Sequence, residues 1–247
     1  EREDQVVSER AVELFNLGIA SYQEENFSGE SRAYAVLKKT GEEAGSYGSY
    51  LQMTRGLYRN DQEEPAFRLS VRGFINSPMP GEVDWEKNTP LYECYLRDGI
   101  SVYDYEGEEN DYKVAFAGDY LSHIGLYAIS EQIPNRFYAI SDGKSARIDL
   151  TFNADRVYRL EGAFIQMMNL ALFGEGVDLT YSDLTVRALL DEEEGRFTEY
   201  TVTFAGTMKQ DPSLRVEYTY FERFFDYGTE EEIAFPDFEK VPLKEVK

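Results

Sequence analysis

The chain has 247 residues, 42% of them hydrophobic, and sets 25 Lys and Arg against 47 Asp and Glu for a net charge of −22. No Pro/Ser/Gly linker divides it, so residues 1–247 read as a single domain long enough to bury a sizeable core. The acidic excess disfavours nucleic acid and anionic headgroups, the single Cys excludes an intramolecular disulfide and a thiolate zinc site, and no apolar run reaches the ~18 residues of a membrane helix.

Residues 4–24 read as an amphipathic helix, with Val7, Ala11, Leu14, Phe15, Leu17 and Gly18 or Ile19 on one face and Glu9, Arg10 and Glu13 opposite. Strands follow at 27–37, 47–58 and 66–74. The third is the clearest, with Phe67, Leu69 and Val71 alternating against Arg68, Ser70 and Arg72. A long connection at 76–90 then carries three of the eight prolines and the only Trp, Trp85. Such a loop either packs its Trp down as an ordinary crossover or presents it to a partner.

Segments 91–96 and 100–105 form a hairpin around Arg97-Asp98-Gly99, where Asp-Gly favours a type I′ turn. Cys94 shares parity with Tyr92 and Leu96 and is expected in the core. After a strand at 112–116 the period changes. A helix is predicted over 119–132, capped by Asp119 and stopped by Pro134. A hairpin at 137–140 and 146–152 precedes a second mid-chain helix that Asn153 caps and Gly174 closes.

Three alternating runs follow. Leu184, Val186, Ala188 and Leu190, then Tyr200, Val202 and Phe204, then Leu214, Val216, Tyr218 and Tyr220 predict an antiparallel meander with its even-numbered face covered. A short last strand is expected at 233–236, with a loosely held tail beyond it. About ten strands against three helices, without β-α-β alternation, make the class α+β with an antiparallel sheet.

Catalytic inventories fail on this sequence. His123 is the only imidazole, and no nucleophile elbow, phosphate loop or His-Glu-x-x-His is present. A carboxylate pair for acid/base work cannot be singled out among 47 acidic residues. The acidic runs at 104–111 and 191–194 lack calcium-loop spacing, so no metal and no cofactor are expected. What remains is apolar: Phe164, Met167, Met168 and Leu172 on the second mid-chain helix, facing Val202, Phe204 and Tyr218. These side chains either fill the core or line a pocket for an acyl chain, where each buried CH₂ contributes ~0.8 kcal/mol.

The element order, the hairpin Leu91-Tyr-Glu-Cys-Tyr-Leu-Arg-Asp-Gly-Ile-Ser-Val-Tyr103 and the ending Val216-Glu-Tyr-Thr-Tyr-Phe-Glu-Arg-Phe-Phe225 resemble the LolA-like lipoprotein-carrier fold. The similarity is greatest to lipoproteins of unknown function with that fold in Gram-positive bacteria. It implies an incomplete antiparallel barrel whose concave face is covered by the N-terminal helix and the two mid-chain helices. It also implies an exported protein of the cell envelope, at the outer face of the cytoplasmic membrane, that binds a lipid or another apolar ligand between sheet and helices; a non-enzymatic monomer is expected. The chain opens on Glu1 rather than Met, as a mature protein relieved of a targeting segment or one cut from a tag does. The resemblance places the membrane anchor, a lipidated Cys, in such a removed segment. The alternative is a cell-surface module with a fully packed barrel that contacts a protein partner through Trp85.

Overall fold

The computed structural model describes residues 5–40, 45–61, 65–76, 92–105, 112–115, 134–153, 165–174 and 177–242. They form one antiparallel sheet of 13 strands. Helix α1 (Ala11–Glu24) precedes the long strands β2 (Phe27–Lys39), β3 (Gly45–Arg59) and β4 (Ala66–Ile75). Next come β5 (Tyr92–Arg97), β6 (Ile100–Tyr105), β7 (Tyr112–Ala115), β8 (Arg136–Ser141) and β9 (Ser145–Phe152). Helix α2 (Gln166–Phe173) leads to β10 (Leu179–Tyr181) and to β11 (Leu184–Asp191), β12 (Arg196–Met208) and β13 (Leu214–Phe225). The strand β1 (Gln5–Val6) pairs with β8 at one end of the path β1-β8-β9-β11-β12-β13-β2-β3-β4-β5-β6-β7. The path does not close on itself, so the class is α+β, an open barrel-like sheet.

The meander sits at the centre of this path, and its alternation dictates the burial. On β11, Leu184, Val186, Ala188 and Leu190 are buried; on β13, Val216 and Tyr218 are. On β12 a bulge opposite Leu189 and Leu190 shifts the register, so that the odd-numbered Phe197 points inward with the even-numbered Tyr200, Val202 and Phe204. The Asp98-Gly99 turn has φ of 54° and 69°, the pair of positive angles a type I′ turn requires.

Helix α1 buries Ala11, Leu14, Phe15, Gly18, Ile19 and Tyr22, the i, i+3, i+4 rows of one face. The predicted start at residue 4 is corrected. Gln5 and Val6 join the edge of β8, Val7 N–H donates to the Ala139 carbonyl, and a 3₁₀ turn, Ser8–Arg10, leads into the helix. An edge strand's unpaired backbone groups captured two residues that periodicity assigned to the helix. Asn26 ends α1 in irregular backbone. Its Oδ1 accepts from the N–H groups of Asn60 and Asp61, tying the helix end to the end of β3.

The expected strand at 233–236 is also corrected. Ile233 and Phe235 carry no ladder, and they pack with Phe238 and Val241 on Tyr95 and Val102. The Arg97 guanidinium lies 5.0 Å from the Phe235 ring centroid and 4.8 Å from that of Phe238. The tail is therefore held as far as Val241 on the outer face. The predicted helix at 119–132 and the loop at 76–90 lie outside the described residues, apart from Asn76 itself. Of the second mid-chain helix, the Gln166–Phe173 turns are described, closed by Gly174 at φ 74°.

Candidate functional site

The two helices cover different halves of the inner face. Helix α1 lies over β8, β9, β11 and β12, and α2 over β2 and β3. Beneath α1, the inward residues Ile148, Leu150, Phe152, Leu184, Val186, Ala188 and Leu190 are all at most 2% exposed. Rings fill the space between: Phe15 meets Phe197 at 5.4 Å between centroids and Tyr22 meets Phe27 at 5.1 Å. The described inward residues of this half are closely packed.

The other half is less complete. Leu37, Leu69, Tyr92, Tyr103, Leu172 and Phe173 belong to the same core yet are only partly buried. The inward positions of β2 are small, Gly29, Ser31, Ala33 and Ala35, and β3 sets Gly56, Thr54, Gln52 and Tyr50 beside them. At Gly56 the ring of Tyr58 fills the place of a side chain, 2.5 Å from where a Cβ would stand. In the Ser31–Thr54 row both residues are half-buried, and the Tyr220 phenol reaches Ser31.

The predicted lining residues fall at one end of this half. Met168, Val202, Phe204 and Tyr218 are buried in a single core, with Leu172 half-buried at its margin. The rings of Phe204 and Tyr218 stack at 4.7 Å with 15° between planes, and the Tyr218 hydroxyl donates to Asn169 Oδ1 on α2. The structure thus brings together five of the seven candidates. Phe164 and Trp85 lie outside the described residues, as does the side chain of Met167.

Sequence reasoning missed Glu222, although the signal was present: it continues the inward parity of Val216, Tyr218 and Tyr220. Its carboxyl is 1% exposed, opposite Tyr200 on β12 and Ser31 on β2. The Tyr220 hydroxyl donates to Glu222 Oε2 at 2.9 Å. No salt bridge is recorded for Glu222 among the described residues. Desolvation dominates, and it raises the carboxyl from 4.5 to about 7. Burial and the Glu222 charge together push the phenols of Tyr200 and Tyr227 up as well. The Tyr200 hydroxyl is buried without a hydrogen-bond partner.

Hollows on the outer face are of another kind. One of about 460 Å³ is bordered by Glu30, Arg55, Arg68 and Glu231, and one of about 500 Å³ by Lys144, Arg147, Asp191 and Glu193. Both are open, and both are edged by exposed charges. Among the described residues no group of three or more His, Cys, Asp or Glu is placed to hold a metal ion.

No family model matches the chain, and no curated protein does. Several solved structures resemble its fold. A lipovitellin structure concerned with lipid–protein interactions is similar at a TM-score of 0.44 and 6% identity over 86% of this chain. This chain spans 26% of that much longer one. A beta-barrel-like protein of a domain of unknown function from Brucella abortus gives a TM-score of 0.26 and 9% identity, covering 82% of this chain and 99% of that one. An N-terminal dehydratase from the difficidin assembly line gives 0.14 and 11%, covering 89% and 85%. Likenesses this distant carry no argument about ligand or partner, and the open barrel-like fold rests on this chain's own strand order.

Proposed function

We propose that the protein is a non-enzymatic binding domain that takes an apolar ligand, an acyl chain or lipid, between the β2–β5 half of its sheet and α2. The observation that carries this reading is the asymmetry of the inner face. The inward residues of β9 and β11 beneath α1 are almost fully buried, whereas Leu37, Leu69, Tyr92, Tyr103 and Leu172 remain partly open beside small residues of β2 and β3. Apolar side chains left partly wet around a floor with little bulk favour a ligand that completes the core. Met168, Val202, Phe204 and Tyr218 form the wall behind it and Leu172 the rim. The LolA-like resemblance implies a ligand between sheet and helices, and an exported lipoprotein of a Gram-positive cell envelope is the setting it implies. Native mass spectrometry of protein purified without detergent tests it. A co-purifying lipid supports the proposal. Absence of any bound lipid, together with no fluorescence gain from an added apolar dye, sinks it.

A further inference from the structure

We infer that Glu222, with the tyrosines Tyr200, Tyr220 and Tyr227 around it, seats an organic ammonium group, the cationic head of an amphiphile whose chain lies along the inner face. The inference rests on the binding reading above and names the chemical class of the ligand.

A carboxylate buried on the apolar face of a sheet is costly unless a cation or several donors meet it. Among the described residues one hydrogen bond to it is recorded, from Tyr220. The groups facing it from each element are phenols and small residues: Tyr200 from β12, Tyr220 from its own strand, Ser31 from β2 and Tyr227 from the segment after β13. Tyr58 of β3 stands beyond Tyr220. Arg196 lies on the Tyr227 ring at 5.3 Å and is engaged by both carboxylate oxygens of Glu25.

The second observation is independent. Tyr200 Oη is buried without a partner, and its ring meets that of Tyr220 nearly edge-on at 6.2 Å. A buried hydroxyl left unsatisfied marks a place where a polar group belongs. An ammonium supplies what both residues need. Its N–H groups donate to Glu222 and to the Tyr200 oxygen, while its first methylenes lie against phenol rings. A hard metal ion fits poorly, since calcium takes six to eight oxygen ligands and this cluster offers a single carboxylate. The half-buried Tyr220 adjoins Glu222 along β13, and Ser31 and Thr54, both half-buried, continue its row across the sheet.

The test compares n-octylamine, 1-octanol and n-butylamine on the intact chain by calorimetry at pH 6.5, in two buffers of different ionisation heat. The expected result is octylamine binding about tenfold or more tighter than octanol, with release of up to one proton as Glu222 ionises on pairing. Glu222→Gln should abolish both the preference and the proton release, leaving octanol binding in place. Tyr200→Phe provides a second variant, with an expected loss of about fivefold in amine affinity alone. Octanol binding without amine preference overturns the ammonium seat and leaves the apolar chamber standing. A preference for octylamine over octanol that persists in Glu222→Gln is adsorption to an acidic surface and also overturns it. Butylamine binding without octanol binding supports the seat and removes the chamber. No binding of any of the three removes both.

Discussion

Gly18 of α1 lies directly over the ring of Phe197 on β12: a Cβ at Gly18 would stand 2.5 Å from the ring's Cζ. The helix can approach the sheet here because position 18 has no side chain. Gly18→Ala gains about 1 kcal/mol of helix propensity. It also forces either the ring or the helix to move, at about 1–3 kcal/mol. A net loss of stability is expected by urea denaturation. Asn16→Ala, on the exposed face of the same helix, should stabilise by about 0.5 kcal/mol. If Gly18→Ala is the more stable variant, α1 does not sit where this contact puts it.

Phe204 and Thr203 are neighbours in β12 that face opposite ways. Phe204 is buried, stacks on Tyr218 and meets Tyr181 edge to face at 6.0 Å, while Thr203 is exposed. Phe204→Ala should lower the unfolding free energy by about 3–5 kcal/mol, and Thr203→Ala by less than about 1 kcal/mol. The contrast also probes the ligand wall. A side chain lining open space has fewer partners to lose, so a small penalty at Phe204 with weakened dye binding would move the chamber to this end of the sheet.

Alternation made the meander legible, because one polar face and one apolar face leave a period-two record that Thr201, Thr203 and Thr219 keep clean. The Asp98-Gly99 turn was legible for a similar reason: few other pairs accept positive φ twice. Three elements were not. Leu179–Tyr181 is too short to show a period, and it is a strand because the end of β12 runs past β11 and offers it a partner. Val6 and Phe235 fall within a predicted helix and a predicted strand, yet each is placed by a surface that only the assembled sheet creates. Glu222 is the instructive case for the site. Parity put it inside, and hydrophobicity argued against reading it there.

Cys94 gives a chemical check on the β5 assignment. Its thiol lies on the inner face opposite Leu69 and Tyr103 and is 4% exposed. Burial pushes it up to about 12, against the thiolate stabilisation that Tyr103 and Ser101 supply. The thiolate is the reactive form, so the folded protein should react with a disulfide reagent at pH 8 at least about a hundredfold more slowly than the urea-unfolded chain. Rapid labelling of folded protein would mean that β5 is one residue out of register.

Glu25 and Glu222 should leave opposite marks on stability against pH. Glu25 accepts from Arg196 Nη2 at 2.6 Å, and those bonds hold its carboxyl below the usual range. Its contribution is present above pH 4.5 and is lost as the pH falls through the lowered value, so Arg196→Met should remove part of the acid limb and about 1 kcal/mol at neutral pH.

Glu222 runs the other way. Its folded value, raised from 4.5 to about 7, means that the folded state holds a proton the unfolded chain has already released. Its stabilising share is therefore complete below about pH 4.5 and disappears as the pH climbs through about 7, an expected decline of about 3 kcal/mol. Glu222→Gln cannot ionise and should show no such decline. The variant should match the parent near pH 5 and exceed it by up to that amount at pH 8, as read from denaturant midpoints across the range. A bound ammonium ion offsets this in the parent protein: by stabilising the carboxylate it should flatten the decline and raise the midpoint at pH 8 by more than it raises that of Glu222→Gln. Parent and variant curves that run parallel from pH 5 to pH 8 would mean that Glu222 is solvated, and the buried seat would be lost with that result.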